Sequence, residues 1–63
     1  MWFFRAMELA DGRWGCRHGM TDYDIHETLD DAVAHLRELA SETGPAVVFA
    51  HWLDGTVERL GEA

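Results

Sequence analysis

Histidine and carboxylate side chains give this sequence its clearest opportunities for chemistry. Four histidines occur, and His26 stands in the segment DYDIHE beside three carboxylates. In an extended strand, alternation would place Asp22, Asp24 and His26 on the same side, a plausible three-ligand arrangement for zinc or manganese. No two histidines share a known metal spacing, and His35 has only Asp31, four residues earlier, as an ordinary helix-surface partner. We therefore predict solvated or capping roles for the histidines, no metal site and no cofactor.

A single cysteine is the main candidate for nucleophilic catalysis. Cys16 could be activated by His18 or His51, but the predicted hairpin register points its thiol toward the predicted helix, so we expect a buried, inert thiol. Ser41 is the only serine, and no glycine-rich nucleotide motif is present. A chain of 63 residues is also too small to offer a cleft that would raise the pKa of one carboxylate above that of another, as glycosidase-like catalysis requires. The sequence therefore predicts a protein that is not an enzyme.

Two Asp-Gly dipeptides predict the strands that must position these residues. Asp11-Gly12 lies between WFFRAMEL and RWGCRH, and Asp54-Gly55 lies between PAVVFAHWL and TVERL. An Asp-Gly pair between apolar runs indicates a hairpin, because a two-residue type I′ turn needs positive φ at both central residues. The residues predicted to face each other are Leu9 and Trp14, Met7 and Cys16, Trp52 and Val57, and His51 and Glu58. In this register one face of the first hairpin carries Phe3, Met7, Leu9, Trp14 and Cys16.

The segment TLDDAVAHLRELASETGP predicts one helix between the two hairpins. Its apolar residues recur at helical spacing from about residue 29 to about residue 43, with Thr28 as N-cap and Gly44 as the residue that ends the helix. The segment YDI can add a short edge strand. We predict one α+β domain over residues 1–63, a ββαββ fold with a single helix packed on a four-stranded antiparallel sheet.

Charge and composition limit the possible partners. The formal net charge is −7 with a pI near 4.7, which disfavours nucleic acid and anionic membranes and favours a positively charged protein. Hydrophobic residues make up 48% of the chain, so it should fold. A single cysteine and the absence of a signal-peptide pattern predict an unprocessed cytoplasmic protein.

Acidic side chains are concentrated around the start of the predicted helix. Asp30 and Asp31 suit a first helical turn, because carboxylates there complement the helix dipole and Asp31 lies three residues after Thr28. Asp22, Asp24 and Glu27 have no such structural explanation. The residues that we predict to form one partner-binding acidic ridge are Asp22, Asp24, Glu27, Asp30, Asp31, Glu38 and Glu42.

Apolar residues are predicted on both faces of the sheet, although one helix can cover only one face. Exposed apolar area of this kind marks a contact surface. The predicted apolar contact residues are Trp2, Phe4, Val47 and Phe49. They could serve a foreign partner or a homodimer, so a monomer and a homodimer both stay open.

Two resemblances extend this interpretation. The segments LADGRWGC, TLDDAVAHLRELASETG and VVFAHWLDGTVERL resemble small bacterial domains of unknown function with a strand-strand-helix-strand-strand order, which implies the fold and no activity. The acidic balance and small size also resemble, by type, phage-encoded inhibitors such as anti-CRISPR and anti-restriction proteins, many of which imitate DNA.

The leading hypothesis is a non-enzymatic inhibitor that binds a basic DNA-binding protein or a CRISPR surveillance complex and blocks its access to DNA. One alternative is a housekeeping domain that dimerises through its apolar sheet face. A further alternative is a metal-dependent enzyme that uses His26 with Asp22 and Asp24.

Overall fold

Five strands and one helix make up the computed structural model, which describes residues 2–62; Met1 and Ala63 of the predicted domain lie outside this range. The elements are β1 (Trp2–Glu8), β2 (Trp14–His18), β3 (Thr21–His26), α1 (Leu29–Thr43), β4 (Ala46–His51) and β5 (Val57–Glu62). The predicted helix is confirmed, with the Thr28 hydroxyl accepting a hydrogen bond from the Asp31 N–H. Gly44 ends it at φ 105°, in a region that favours glycine.

The strands form one mixed sheet in the order β3-β2-β1-β4-β5, and the central strands β1 and β4 are parallel. The predicted four-stranded antiparallel ββαββ arrangement is therefore wrong. The segment expected to add a short edge strand is a full strand, so three strands precede the helix instead of two. The helix returns the chain across the sheet, so β4 runs in the same direction as β3 and β1.

The first hairpin differs from the prediction by one residue. The Leu9 N–H donates to the Arg13 carbonyl at 2.8 Å, and the Gly12 N–H donates to the Leu9 carbonyl. Three residues therefore form the loop, with Gly12 at φ 90° providing its left-handed position. Cys16 consequently lies opposite Ala6, not Met7.

The second hairpin repeats this geometry. The Trp52 N–H donates to the Thr56 carbonyl at 2.9 Å, and Gly55 has φ 92°. His51 consequently lies opposite Val57, not Glu58. Both predicted turns exist at the Asp-Gly pairs, but each has one more residue than a type I′ turn, and each predicted pairing is shifted by one.

This shift exchanges the two faces of β1, because successive side chains of a strand point to opposite sides. Phe4 and Ala6, instead of Phe3 and Met7, lie with Cys16 under the helix. The buried core comprises Phe4, Ala6, Trp14, Cys16, Ala32, Leu36, Ala40, Ala46, Val48 and Ala50.

The four predicted apolar contact residues do not form one exposed surface. Phe4 is a core residue with 1% of its surface exposed, and Val47 has 2% exposed. Register pairs Trp2 with Ala46 and Arg5 with Phe49, so Trp2 and Phe49 lie on opposite faces of the sheet. Among residues 2–62, no helix has the length and apolar character needed to span a bilayer.

Candidate functional site

A cysteine and two histidines meet where β2, β3 and α1 converge. His26 lies opposite Trp14 in the β2–β3 ladder, which places it beside Cys16 on the face that α1 covers. His35 lies on α1 beside the buried Leu36. Its ring contacts His26 of β3, so it lies on the side of the helix that faces β3. The thiol sulfur and one nitrogen of each ring lie within 4.8 Å of one another.

The two histidines make a direct contact through their rings. The Nε2 atom of His26 lies 3.2 Å from Nδ1 of His35, and the ring planes are inclined at 62° in an edge-on arrangement. At this distance one nitrogen donates and the other accepts. The pair therefore joins the edge strand to the helix.

Asp24 completes the cluster because β3 bulges. Gly15 pairs with Ile25 and Arg17 pairs with Asp22, so three steps along β3 match two steps along β2. This irregularity brings an oxygen of Asp24 to 3.2 Å from His35 Nδ1 and the other to 3.7 Å from His26 Nε2.

Asp22 does not join this cluster, because its carboxylate lies 3.5 Å from Nε of Arg17. The predicted set of Asp22, Asp24 and His26 on one side of a regular strand is therefore wrong for Asp22. The bulge interrupts the alternation on which that prediction depended.

The thiol of Cys16 is buried, as predicted, with 1% of the residue exposed. Its sulfur lies 3.5 Å from the Ala32 carbonyl, to which the thiol donates. Burial, followed by the negative charge of Asp24, raises the pKa of Cys16 to about 11. The thiol is therefore protonated at neutral pH and is a poor nucleophile in this form.

Sequence reasoning missed the combination of Cys16 with His26 and His35. It considered His35 only with Asp31, whereas the structure places its ring against Asp24 and His26. The Asp-Gly pair predicted a hairpin with Cys16 facing the helix, but a hairpin prediction leaves the position of β3 undetermined. The cluster depends on how β3 docks at the edge of the sheet, and no local sequence pattern predicts that docking.

The predicted acidic ridge divides into separate groups. Asp22 contacts Arg17, and Asp24 contacts the two histidines. Along α1, Asp31, Glu38 and Glu42 share one side with His35, because these residues are spaced by four, three and four positions. The remaining predicted members are Glu27, before the helix, and Asp30, on the other side of α1.

We define the α1 acidic stripe as Asp31, Glu38 and Glu42, all of them exposed. Within residues 2–62, none of the three is within ion-pair distance of an arginine. The arginines are engaged elsewhere: Arg5 with the Gly19 carbonyl, Arg13 with Asp11, Arg17 with Asp22 and Gly19, Arg37 with the carbonyls of Leu60 and Glu62, and Arg59 with Glu62.

The sheet face opposite the helix has a different character. Phe3 and Val57 have more than half of their surfaces exposed there, and Phe3 packs against Phe49 with ring centroids 6.0 Å apart. Arg5 lies between Phe49 and Arg17 in the register of the sheet. Partial burial, and secondarily the charge of Arg5, lowers the pKa of His51 on this face.

Comparison of the chain with protein-family models, with curated proteins and with solved structures finds no match. The resemblance to phage-encoded inhibitors therefore stays a prediction. The strand-strand-helix-strand-strand fold that the other resemblance implied is wrong, because three strands precede the helix.

Proposed function

We propose that this protein is a non-enzymatic binding protein that engages a basic surface of a nucleic-acid-binding protein and competes there with DNA. The observation that carries the proposal is the α1 acidic stripe, whose carboxylates make no ion pair with any arginine of residues 2–62. Exposed carboxylates without neighbouring cations project a negative field that attracts a basic partner and speeds its association.

The dimensions of the stripe indicate how it would contribute. From Asp31 to Glu42 a helix rises about 16 Å, at about 1.5 Å per residue. Duplex DNA carries one charge per about 1.7 Å of axis, so three carboxylates over this length are far sparser than DNA. The stripe would therefore orient the protein, while the net charge of −7 supplies the long-range attraction.

Asp24 contributes less to this surface than its charge suggests. Its two carboxylate oxygens face His35 and His26, at 3.2 and 3.7 Å. Asp22 is likewise turned toward Arg17. We therefore assign partner attraction first to Glu38 and Glu42, with Asp31 also serving the helix start through its backbone N–H.

A pair of double variants tests the proposal. Glu38→Gln with Glu42→Gln removes two charges from the stripe, and Glu58→Gln with Glu62→Gln removes two from β5. Partners captured from a bacterial lysate would be identified, and each would be mixed with a fluorescent DNA duplex. The unmodified protein should displace the duplex, and the stripe variant should need at least about tenfold more protein. The β5 variant loses the same net charge and should show only the much smaller loss due to weaker long-range attraction.

Salt supplies an independent readout, because exposed charges are screened beyond about 8 Å at physiological ionic strength. Direct binding of the captured partner, measured without DNA, should weaken steeply as salt is raised, and less steeply for the stripe variant. Failure to displace duplex DNA from any captured protein, or equal losses in both variants, would contradict the proposal. A type I CRISPR surveillance complex is the first purified target to examine.

An alternative function is self-association through the uncovered sheet face. Phe3, Ile25 and Val57 are 55%, 51% and 53% exposed, and apolar residues at this exposure favour a contact surface. Light scattering at high concentration should then report a dimer that Phe3→Ser disrupts. Leu53→Ser, in the exposed β4–β5 loop, is the matched control and should leave the dimer intact.

A further inference from the structure

We propose that Cys16, His26 and His35, with Asp24 as the fourth group, bind a Zn²⁺ ion that joins the edge strand β3 to helix α1. The site adjoins the proposed partner surface, because His35 lies on the same side of α1 as the acidic stripe, but ion binding there requires no partner. Its donors come from three elements that are separate in sequence, namely β2, β3 and α1.

The two histidine nitrogens already have the separation that a zinc ion requires, and the Cys16 sulfur lies close to them. Zinc takes sulfur at about 2.3 Å and nitrogen at about 2.0–2.1 Å in tetrahedral sites, which places two nitrogens about 3.4 Å apart. The nitrogens of His26 and His35 are 3.2 Å apart. The cysteine and histidine donor atoms are all within 4.8 Å of one another, so a contraction of about 1 Å in the longest separation would complete the coordination.

Asp24 lies on the metal side of the histidine rings. Its Oδ1 is 3.2 Å from Nδ1 of His35, the same nitrogen that faces His26. A carboxylate that merely oriented the ring would contact its other nitrogen. Asp24 is not among the three residues whose donor atoms all lie within 4.8 Å of one another, so we assign it as the fourth ligand on its contacts with the two histidines alone.

The chemical nature of the donors selects the class of ion. Thiolate and imidazole suit zinc, whereas magnesium and calcium prefer sites made only of oxygen ligands. On binding, the Cys16 thiol releases its proton to solvent and the sulfur coordinates the ion as thiolate. The reaction needs no oxidant or reductant, because zinc keeps its oxidation state.

The proposed site is shielded from solvent by burial on the Cys16 side and is open to solvent on the Asp24 side. Cys16 is buried, the side chains of His26 and His35 are 23% and 25% exposed, and Asp24 is 56% exposed. Zinc can enter from the Asp24 side without unfolding of the core. The bound ion would fasten β3, which otherwise lies at the edge of the sheet and pairs with β2 alone.

Cobalt substitution tests the site directly. The full chain, treated with a chelator and then dialysed, would be titrated with Co²⁺ and then with Zn²⁺. One equivalent of Co²⁺ should produce the near-ultraviolet absorption of a cobalt–thiolate bond, and Zn²⁺ should abolish it. Zn²⁺ should also raise the thermal unfolding midpoint.

Matched variants separate the site from adventitious binding. His26→Gln and His35→Gln should each weaken Zn²⁺ binding by more than the roughly 10–100-fold typical for loss of a group that only orients a ligand. His51→Gln, on the opposite sheet face, should leave Zn²⁺ binding unchanged. Far-ultraviolet circular dichroism would confirm that each variant folds. Cys16→Ser should remove the cobalt–thiolate absorption.

The proposal is overturned if the unmodified protein shows no cobalt–thiolate absorption, or if His26→Gln and His35→Gln bind zinc as tightly as the unmodified protein. Unchanged binding by Asp24→Asn would overturn the assignment of the fourth ligand. None of these measurements involves a protein partner, so they stand or fall separately from the DNA-competition experiment.

Discussion

Asp24 on the edge strand and His35 on the helix approach to 3.2 Å through Oδ1 and Nδ1, across two elements that share few other polar contacts. This contact, together with that between His26 and His35, holds β3 against α1. In the metal-free protein, Asp24→Ala should therefore loosen β3 alone. A partly exposed contact between a carboxylate and a histidine contributes at most about 1 kcal/mol, so amides of β3 should exchange with solvent up to about fivefold faster.

Asp22→Ala is the control for this experiment. Asp22 is in the same strand, but its side chain is 77% exposed and lies near Arg17 instead of the helix. Its loss should change β3 exchange little, since exposed ion pairs contribute little stability. Hydrogen exchange followed by NMR in the presence of a chelator would measure both variants, and equal exchange rates would contradict the role given to Asp24.

The glycines of the first hairpin provide a second prediction. Gly12 has φ 90°, in the left-handed region, and nothing lies near the position of its missing Cβ. Gly12→Ala should therefore lower the free energy of unfolding by about 1–2 kcal/mol through backbone strain alone. Urea denaturation would measure this loss.

Gly15→Ala is the matched substitution three residues later. An added Cβ at Gly15 would meet the Leu9 side chain at 3.8 Å, an ordinary contact, and Gly15 does not have positive φ. Glycine inside a strand is destabilising by roughly 0.5–1 kcal/mol relative to alanine, so this variant should be neutral or more stable. A loss as large as that of Gly12→Ala would show that strand packing, not φ, governs this hairpin.

These hairpins also show where sequence reasoning succeeds and fails. The Asp-Gly pairs located both turns, and apolar spacing located the helix from Leu29 to Thr43. The pairs did not distinguish a two-residue loop from a three-residue loop, because both need a glycine with positive φ. A one-residue error then exchanged Phe3 and Phe4 between the buried and open faces.

Local sequence patterns could not predict the order of the strands or the metal-ligand cluster, because both depend on how β3 docks. The β3 segment has no buried residue, so its hydrophobic pattern cannot specify docking. Its position comes from pairing with β2, a bulge, and polar contacts from Asp24 and His26 to the helix. Such contacts join residues remote in sequence and leave no periodic signal.

The third prediction concerns Leu36, which is fully buried at the centre of the side of α1 that packs on the sheet. Leu36→Ala should lower the free energy of unfolding by about 2–5 kcal/mol, from lost burial and the cavity left behind. A domain of this size has only a few kcal/mol of total stability, so much of the protein would unfold.

Leu53→Ala removes the same atoms at a position that is 61% exposed, and it should change stability by less than about 0.5 kcal/mol. Thermal unfolding followed by circular dichroism would compare the two variants. Similar midpoints would mean that α1 does not pack on the sheet through Leu36.

The fourth prediction concerns the Cys16 thiol in the metal-free protein. Burial and the charge of Asp24 raise its pKa from 9.0 to about 11. A thiol-specific reagent at mildly alkaline pH should therefore react slowly with the folded protein and rapidly after denaturation. Reaction at the rate of a free thiol would show that the cysteine is exposed.

The same shift fixes the sign of a pH effect. The raised pKa means that the folded state holds the thiol proton more tightly than the unfolded state. The resulting stabilisation is complete below about pH 9 and is lost as pH rises through about 11. Cys16→Ala should show a weaker decline in stability over this window, measured by urea unfolding at each pH.

The last prediction asks whether the α1 acidic stripe lowers stability. Glu38 and Glu42 are four residues apart on the helix, where like charges destabilise by about 0.2–0.5 kcal/mol. The double glutamine variant should therefore be slightly more stable than the unmodified protein at low salt. The gain should disappear at high salt, because screening removes the repulsion in both proteins.

The Glu58→Gln and Glu62→Gln control should show no such gain, since Glu62 lies 3.7 Å from Arg59 and its loss removes an attraction. Denaturant titrations at low and high salt would measure all three proteins. Carboxylates that lower stability are expected of a surface that serves a partner, because a purely structural charge would be placed beside a cation. If neutralising Glu38 and Glu42 instead destabilised the fold, the stripe would have a structural explanation and the case for a basic partner would weaken accordingly.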